Sequence, residues 1–337
     1  MWAWYQSFWL WSVKKAINEG GSVFSLASDT EVFFAQRFID EHPFIDRVRF
    51  LKSGSEGCTA AIRIARAFTG KSLVFSEGYH GWHDDFTQLT PPAIGVVPNS
   101  GMRKLSSLND LETYRPAAVI IEPVILEFNN DRIEWLQKLR DICDKNKIIL
   151  IYDETITAYR FKDSSVASAT NIYPDLWVGG KAIAGGYPLS VVGGKADVME
   201  ASYFVSSTWA GDRIPFYAGL TCIDLLHDNF KPNDLWNYGS LFLERFNNLS
   251  HDVKITGYPT RGIFKYSSDK YQALFMQEMC KAGILIGPSW FYNKYLHEEM
   301  DHVISCAAQI DRKIRNSNVK LLGKYPALPF STKVRNA

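Results

Sequence analysis

The feature that most constrains this fold is an alternation of short apolar runs with stretches of helical periodicity, from about residue 29 to 225. Helical spacing is clearest over residues 31–41, 54–68 and 133–146, while the strand-like runs are RVRFLKS, SLVFS, AIGVVP, AAVIIEP and KIILIYDE. Strands that alternate with helices are typical of parallel sheets, because parallel neighbours need long crossover connections. The pattern therefore predicts an α/β fold with a mostly parallel sheet covered on both faces.

The pattern changes after Pro215, where long amphipathic stretches lead into a mixed segment containing GYPTRGIFKY and CKAGILIGPSWF. We therefore predict a large domain over residues 29–225 and, over residues 226–337, connecting helices with a small C-terminal α+β domain. Residues 1–28 are expected to pack with that small domain.

Charge and cysteine content exclude several functional classes. The net charge is +1, and the charged residues of both signs are interspersed without a basic stripe or an acidic tail. This distribution argues against nucleic acid and anionic membranes as partners. The five cysteines are scattered and form no C-x-x-C pair. This usage indicates reduced thiols in the cytoplasm and no disulfide framework or zinc site.

The N-terminal run MWAWYQSFWLW resembles neither a signal peptide nor a membrane span. It lacks a basic segment and a small-residue cleavage site, and its apolar stretch is too short to cross a bilayer. We expect Trp2, Trp4, Trp9 and Trp11 to be buried against the rest of the protein or a second subunit.

Ligands of open α/β sheets bind beyond the carboxyl ends of the strands. The ends of the predicted strands carry Ser53-Gly54-Ser55, Tyr79-His80, Glu122-Pro123, Asp153-Glu154 and Gly180-Lys181. Taken one at a time, each of these groups has an ordinary structural explanation as well as a chemical one.

Ser53-Gly54-Ser55 opens a helix and can hold a phosphate there, although an ordinary N-cap with Glu56 in a capping box explains it equally. Asp153 ends the apolar run IILIYD, where a carboxylate needs a positive partner such as a protonated pyridine nitrogen. A helix cap or structural salt bridge is the alternative. Tyr79 and His80 can lie against a flat ring or simply pack in the core.

Lys181 lies between two glycine pairs in VGGKAIAGG. A solvated surface turn is one interpretation, and a phosphate-binding loop is excluded because Ala182 stands where that motif needs Ser or Thr. The third is an amine that forms a Schiff base. Phosphate cradle, aromatic ring, carboxylate and lysine together are the components of a pyridoxal-phosphate site.

The segment FLKSGSEGCTAAIRIARAFTGKSLVFSEGYHGWHDD resembles the cofactor-binding segment of class III aminotransferases, and is most similar to glutamate-1-semialdehyde 2,1-aminomutase and its relatives. Further similar segments follow in the same order: AAVIIEPV, ILIYDETITAYRF, PDLWVGGKAIAGGYPLSVVGGKADVM, SSTWAGDRIPFYAGLTCIDLL, AGILIGPSWF and LHEEMDHVISCA. The resemblance implies a pyridoxal-phosphate-dependent transferase of fold type I.

The resemblance also implies roles for individual residues. Lys181 would form the Schiff base, Asp153 would pair with the pyridine nitrogen, and Gly54 and Ser55 would bind the phosphate. Tyr79 would stack on the pyridine ring, with His80 beside it. Thr208, in SSTWAG, would reach the phosphate in the neighbouring subunit, so the active unit would be a homodimer with a shared site.

Three carboxylates are weaker candidates. Glu122 and Glu154 are hypothesised to fix neighbouring loops, and Glu127 to face the substrate. The histidines of HEEMDH are five positions apart and do not share a helix face, and His83-Asp84-Asp85 is interpreted as a solvated loop. No metal site is predicted.

The chain departs from the family in three ways. It is shorter, lacking the usual small-domain strands before YQSFWLW, and Thr155 stands where an apolar residue is usual. No arginine follows GPSWF to hold a substrate carboxylate, the next being Arg312.

The resulting prediction is an aminotransferase that moves an amino group between a donor and a carbonyl acceptor. An aminomutase of the glutamate-1-semialdehyde type, or a racemase or epimerase, is the alternative with the same cofactor. A non-catalytic homologue acting as a binding module is the third hypothesis, against which the retained Lys181, Asp153 and Tyr79 argue.

Overall fold

The computed structural model describes residues 2–19, 26–228, 231–316 and 319–322. Contacts divide the chain into two compact units, one formed by Met1–Val124 with Asn129–Asn229 and the other by Ile125–Phe128 with Phe230–Ala337. The division places residues 226–229 with the first unit and the short segment 125–128 with the second. We describe each unit by itself.

The first unit contains a seven-stranded sheet with the order β1-β7-β6-β5-β4-β2-β3. Only β7 among these seven runs against the others, being antiparallel to both β1 and β6. The mostly parallel sheet of an α/β fold is thereby confirmed. The strands are β1 Arg47–Leu51, β2 Val74–Glu77, β3 Met102–Lys104, β4 Ala118–Ile121, β5 Ile149–Asp153, β6 Leu176–Gly179 and β7 Ser190–Gly194.

Helices connect these strands and cover the sheet. They are α1 Trp2–Asn18, α2 Asp29–Glu41, α3 Gly54–Thr69, α4 Asp84–Thr87, α5 Leu108–Tyr114, α6 Asn130–Asn146, α7 Val166–Thr170, α8 Ala196–Met199 and α9 Arg213–Asp228. Two short 3-10 turns span Lys162–Ser164 and Lys181–Ala184.

Helix α3 lies close to the sheet because its inner face is made of small residues. Ala61 and Ala65 are fully buried there. A Cβ on Gly57 would stand 2.6 Å from Ser190 Oγ and 2.7 Å from Val178 Cγ1, so only glycine permits this approach. All residues of β4 and β5 are buried, as expected for parallel strands with both faces covered. The close packing fixes the N-terminus of α3 beside the ends of the central strands.

The run AIGVVP does not form the strand that its composition suggests. Residues 93–98 form turns and irregular backbone, and the outer strand is β3 instead. Ile94 and Val97 are exposed, and Gly95 has a φ of +79°, a left-handed conformation foreign to a strand. The apolar pattern was therefore misread, because the surrounding prolines and glycine break the strand into turns.

The N-terminal helix packs on α9 within the first unit. The expectation that residues 1–28 pack with the small domain stays a prediction. Helix α1 lies against α9, with Val13 and Ala16 buried and Thr221 Oγ1 donating to Ser12 Oγ at 2.9 Å. The Trp9 ring lies 5.3 Å from that of Tyr187, whereas Trp11 is exposed. The side chains of Trp2 and Trp4 lie outside the described residues. Within the ranges described, no helix is both long and apolar enough to cross a membrane.

The second unit is an α+β arrangement with a three-stranded antiparallel sheet, ordered β10-β9-β8. Its core is rich in aromatic side chains, including Phe242, Phe275 and Trp290. The elements are α10 Pro232–Asn247, β8 Val253–Tyr258, β9 Arg261–Tyr266, α11 Asp269–Lys281, β10 Ser289–Phe291, α12 Lys294–Glu298 and α13 Met300–Asn316.

His42, just after α2, is a fully buried histidine in the first unit. Its ring stacks on Phe38 at 4.3 Å and lies 5.2 Å from Trp177. Nδ1 donates to the Phe38 carbonyl at 2.8 Å, while Nε2 has no hydrogen-bond partner within the described residues. Burial lowers the pKa of His42 from 6.5 to about 4, outweighing the hydrogen bond to Phe38, so the folded protein holds the ring neutral.

This histidine should make the stability pH-dependent. The unfolded chain takes up the proton first, so the contribution is complete above pH 6.5 and is lost as the pH falls toward about 4. The loss amounts to about 3 kcal/mol. We expect urea unfolding of His42→Phe to lack this part of the pH dependence, with the exposed His251→Phe as control. Parallel stability curves for wild type and His42→Phe between pH 7 and 4 would contradict the assignment.

Candidate active site

A cavity of about 490 Å³ lies in the first unit at the edge where β2, β4, β5 and β6 end. Its volume is in the range of small-molecule sites. Six residues that were expected from the sequence to contact the cofactor line it together: Gly54, Ser55, Tyr79, His80, Asp153 and Lys181. Glu122 lines the cavity as well. Together these residues come from five separate parts of the chain and meet at one point of the sheet edge.

Asp153 is the buried carboxylate at the floor of the cavity. Its Oδ2 accepts a hydrogen bond from His80 Nδ1 at 2.9 Å, and its Oδ1 accepts from the Thr155 backbone N–H at 3.1 Å. Burial acts to raise the pKa of Asp153, but the hydrogen bonds from His80 and Thr155 outweigh it and leave the pKa below its ordinary value. The carboxylate is therefore ionised at neutral pH and held in one orientation.

The His80 ring is fixed on both sides. Its Nε2 lies 3.1 Å from the Glu77 carbonyl oxygen, so each ring nitrogen faces an oxygen acceptor. The side chain is fully buried, and Phe86 meets the ring edge-on at 5.4 Å. His80 therefore holds the Asp153 carboxylate in place from within the cavity lining, and its position beside a bound ring stays a prediction.

Lys181 begins the 3-10 turn that follows β6 and contributes to the cavity wall. Its φ of +49° is left-handed, a conformation that costs a residue with a Cβ about 1–3 kcal/mol. Gly180 precedes it, where a Cβ would lie 3.0 Å from Thr155 Cγ2. Strained backbone of this kind is typical of functional sites, because the surrounding structure must hold it in place.

The N-terminus of α3 forms another wall. Ser53 is the N-cap, and the capping box with Glu56 is present: Ser53 N–H donates to Glu56 Oε2 at 2.8 Å and Glu56 N–H to Ser53 Oγ at 3.3 Å. This turn is therefore both an ordinary helix cap and a wall of the cavity. Gly54 and Ser55 line the cavity at the positive end of a 16-residue helix, where backbone N–H groups favour an anion.

Thr155 is a polar residue enclosed beside these walls. Its Oγ1 is buried and has no hydrogen-bond partner among the residues described. A Cβ added to Gly54 would stand 2.8 Å from Thr155 Cγ2 and 2.9 Å from Oγ1, so the absence of a side chain at Gly54 is what leaves room here. A buried hydroxyl without a partner at a cavity wall is satisfied when a polar ligand enters.

The remaining carboxylates differ in position. Glu122 lines the cavity, and its Oε1 accepts from the Tyr79 backbone N–H at 2.8 Å. Glu154 is fully buried away from it, accepting from Thr157 Oγ1 at 2.6 Å, Val166 N–H at 2.7 Å and Ala167 N–H at 3.0 Å. Glu127 belongs to the second unit and does not line the cavity.

Thr208 is exposed in the loop between α8 and α9 and lies outside the cavity lining. The role expected for it involves a second subunit, which a single chain does not contain. Its exposed position would allow contact with a second subunit, and its role at the neighbouring phosphate stays a prediction.

Sequence reasoning missed three residues at this site. Lys52 lines the cavity directly before Ser53, and Tyr187 lines it from the loop after Lys181. Cys58 brings its Sγ within 4.8 Å of ligand atoms of His80 and Asp153. Burial raises the pKa of Cys58 well above its ordinary value, which opposes the thiolate that a metal ion would need. Of these three residues, only Lys52 could have been found from the sequence, by its positive charge at the end of a predicted strand.

A family model described as aminotransferase class-III matches residues 85–291 of the 337-residue chain. Many solved structures share the fold, among them the three that follow. The omega-transaminase from Sphaerobacter thermophilus is 23% identical with a TM-score of 0.78, over 91% of this chain and 83% of that one.

The FumI protein of Sphingopyxis sp. MTA144, in its pyridoxal-phosphate internal aldimine form, is 20% identical with a TM-score of 0.80, over 92% of this chain and 82% of that one. The ornithine aminotransferase from Toxoplasma gondii ME49 is 16% identical with a TM-score of 0.79, over 90% and 83%. At these identities the likeness concerns the fold, which is the fold type I expected from the sequence.

The contact between Gly54 and Thr155 can be tested by a double-mutant cycle. Gly54→Ala should lower the free energy of unfolding by about 1–3 kcal/mol, because the added methyl group overlaps the Thr155 side chain. Thr155→Ala removes both overlapping atoms, so the double variant should regain most of that loss. Urea unfolding of the four proteins measures the coupling. Strictly additive effects of the two substitutions would contradict the close approach.

Proposed function

This chain belongs to the class-III aminotransferase family, and we propose that the cavity at the sheet edge is where it transfers amino groups. It is a pyridoxal-phosphate-dependent aminotransferase. The observation that carries the assignment of the site is the convergence of Lys181, Asp153 and the N-terminus of α3 on one cavity of about 490 Å³. The retained lysine and buried carboxylate favour an enzyme over a non-catalytic homologue.

The residues at the cavity suit the cofactor. Ionised Asp153 would hold the ring nitrogen protonated, and the backbone N–H groups of Gly54 and Ser55 would take the phosphate. The unpartnered Thr155 hydroxyl gives a ligand one more polar contact. When bound, pyridoxal phosphate supplies an aldehyde that takes up the donor's amino group and a ring that accepts the electrons released at the substrate carbon.

Tyr79 has the freedom that stacking on a ring requires. Its side chain is 44% exposed, while its backbone N–H donates to Glu122. The side chain can therefore lie over a ligand without any movement of the backbone. Glu122 would act as a support for this loop. Glu154 would support the turn at α7, and its three hydrogen bonds leave it no part in substrate binding. Nothing in the contacts of Glu127 supports the substrate contact hypothesised for it.

Lys181 would act twice. Its amine would hold the aldehyde of the cofactor in the resting enzyme and would be released when the donor's amine takes its place. The freed Nζ would then be placed to move a proton between the substrate carbon and the former aldehyde carbon of the cofactor, as a general base and acid. The left-handed backbone at Lys181 sets the direction in which its side chain leaves the main chain at the cavity wall. His80 and Thr155 keep Asp153 oriented throughout.

Replacing Lys181 tests the assignment. Borohydride should fix the cofactor to Lys181 in the wild type, detected as added mass on its peptide, and amine donors should bleach the absorbance of the wild-type holoprotein. Lys181→Ala should still bind the cofactor reversibly, but show no fixed mass and lose turnover by at least about 10²–10⁴-fold. The exposed Lys71→Ala is the control. Wild-type turnover in Lys181→Ala would overturn the assignment.

The resemblance to glutamate-1-semialdehyde aminomutases supports a second candidate within the same chemistry. An aminomutase keeps the amino group on one carbon skeleton and needs no separate acceptor, and a racemase or epimerase would likewise need one substrate. We favour a two-substrate aminotransferase because the family is one of aminotransferases. Transfer of ¹⁵N from a donor to a different carbonyl acceptor supports this choice, whereas isomerisation of a single substrate supports the aminomutase.

A homodimer is part of the proposal. The loop that carries Thr208 exposes Tyr203, Phe204 and Trp209, and Phe204 is 78% exposed. Exposed aromatic residues clustered in one loop favour contact with another protein surface. Arg63 on α3 donates to the Phe204 carbonyl at 3.3 Å, which ties this loop to the helix whose N-terminus lines the cavity. A second copy covering the loop would place Thr208 close to the neighbouring cofactor.

Substituting the loop tests the dimer. Phe204→Glu should shift the sedimentation coefficient from dimer to monomer and weaken cofactor retention, since burying a charge at an interface is costly. Leu322→Glu, at a comparably exposed leucine of the second unit, should leave the dimer intact. A wild-type chain that sediments as a monomer in the presence of cofactor would contradict the shared site.

We further place the enzyme in the cytoplasm. Its five cysteines are all unpaired, two of them fully buried, as is usual for proteins of reducing compartments. Localisation of a tagged chain by microscopy or fractionation checks this assignment.

A further inference from the structure

Lys52 is the cavity residue to which neither the fold nor the proposed reaction assigns a task. It follows β1 and directly precedes Ser53, the N-cap of α3, and it lines the same cavity as Lys181 and Asp153. Its backbone N–H donates to Glu56 Oε2 at 3.0 Å, and its side chain is only 17% exposed. A mostly buried ammonium at a cavity wall requires negative charge nearby.

One carboxylate supplies part of that charge. Lys52 Nζ lies 3.2 Å from Asp212 Oδ2, and Asp212 Oδ1 accepts from the Ile214 backbone N–H, also at 3.2 Å, in the first turn of α9. An ammonium has three N–H donors, and Asp212 is its single acceptor among the described residues. Burial lowers the pKa of Lys52, and Asp212 offsets this only in part, so the charge is incompletely compensated.

We propose that Lys52 binds the phosphate of the cofactor, adding a full positive charge to the cradle at the N-terminus of α3. This assignment rests on the proposed function. A phosphate dianion would bring two negative charges into a cavity that Asp153 and Glu122 also line. The other lining lysine, Lys181, is engaged at the aldehyde carbon. Lys52 is then the lysine of this wall that remains to balance the phosphate.

A purely structural role for Lys52 makes a different prediction. If the Lys52–Asp212 pair only tied the end of β1 to α9, removing either partner would break the same tie and have the same effect. If Lys52 binds phosphate, the two substitutions diverge. Lys52→Met removes the ligand, whereas Asp212→Asn leaves the ammonium in place and frees it from a competing carboxylate.

The test compares two aldehydes that differ only in phosphate. Pyridoxal phosphate and pyridoxal are titrated into the full-length chain freed of cofactor, as wild type, Lys52→Met, Asp212→Asn and the exposed control Lys71→Met. Quenching of tryptophan fluorescence reports binding, without any need for turnover. We expect Lys52→Met to weaken pyridoxal phosphate binding by about 10–100-fold, the size of a charged hydrogen bond, and pyridoxal binding by less than about 3-fold.

Asp212→Asn should bind pyridoxal phosphate at least as tightly as the wild type. Equal losses for both aldehydes in Lys52→Met, or matching losses in Lys52→Met and Asp212→Asn, would overturn the proposal in favour of a structural tie. Unchanged pyridoxal phosphate binding with a KM raised only for anionic donors would overturn it in favour of a substrate contact. A wild-type chain that binds neither aldehyde would instead refute the proposed function on which the inference rests.

Discussion

The site depends on a charge buried at the end of an otherwise apolar strand, β5. An ionised carboxylate in such surroundings is costly unless hydrogen bonds replace its lost water. Asp153 obtains them from His80 Nδ1 at 2.9 Å and from the Thr155 backbone at 3.1 Å. These two donors come from the loop after β2 and the turn after β5, so both loops must be in place before the charge is tolerated. The carboxylate therefore fixes the positions of these two loops, and it would also fix the position of a ligand bound in the cavity.

Sheet topology explains why the surrounding groups can meet. Six of the seven strands run in one direction, so β1, β2, β4, β5 and β6 deliver their carboxyl ends to the same edge. The reversed strand β7 is rich in small residues: Gly193 leaves room for Val48 of β1, and Gly57 of α3 leaves room for Ser190 of β7. Helix α3 can thus approach closely enough for its first turn to form a wall of the cavity. The chemistry is local, but its placement is a property of the whole sheet.

The sequence was sufficient for the parallel sheet, the strand-end residues and the family, because apolar strands and helical crossovers leave strong periodic signals. It was insufficient where the outcome depended on tertiary packing. The run at 93–98 has strand composition, yet Ile94 and Val97 face solvent because Gly95 turns the chain. Helix α1 joined the first unit through Trp9 and Ser12, partners that no local pattern identifies. Glu154 stood beside Asp153 in sequence but points to the opposite side, as successive residues at a strand end do.

The left-handed backbone at Lys181 has a consequence for how such a protein changes over many generations. Glycine adopts that conformation without penalty, so a chain that exchanged this lysine for glycine would relax its fold as it lost its chemistry. Thermodynamic stability and activity therefore favour different residues at this position. Laboratory selection for heat resistance alone would favour inactive sequences that carry another residue at position 181. With the role proposed for Lys181, the lysine would be kept at this position by selection for turnover, against the preference of the backbone.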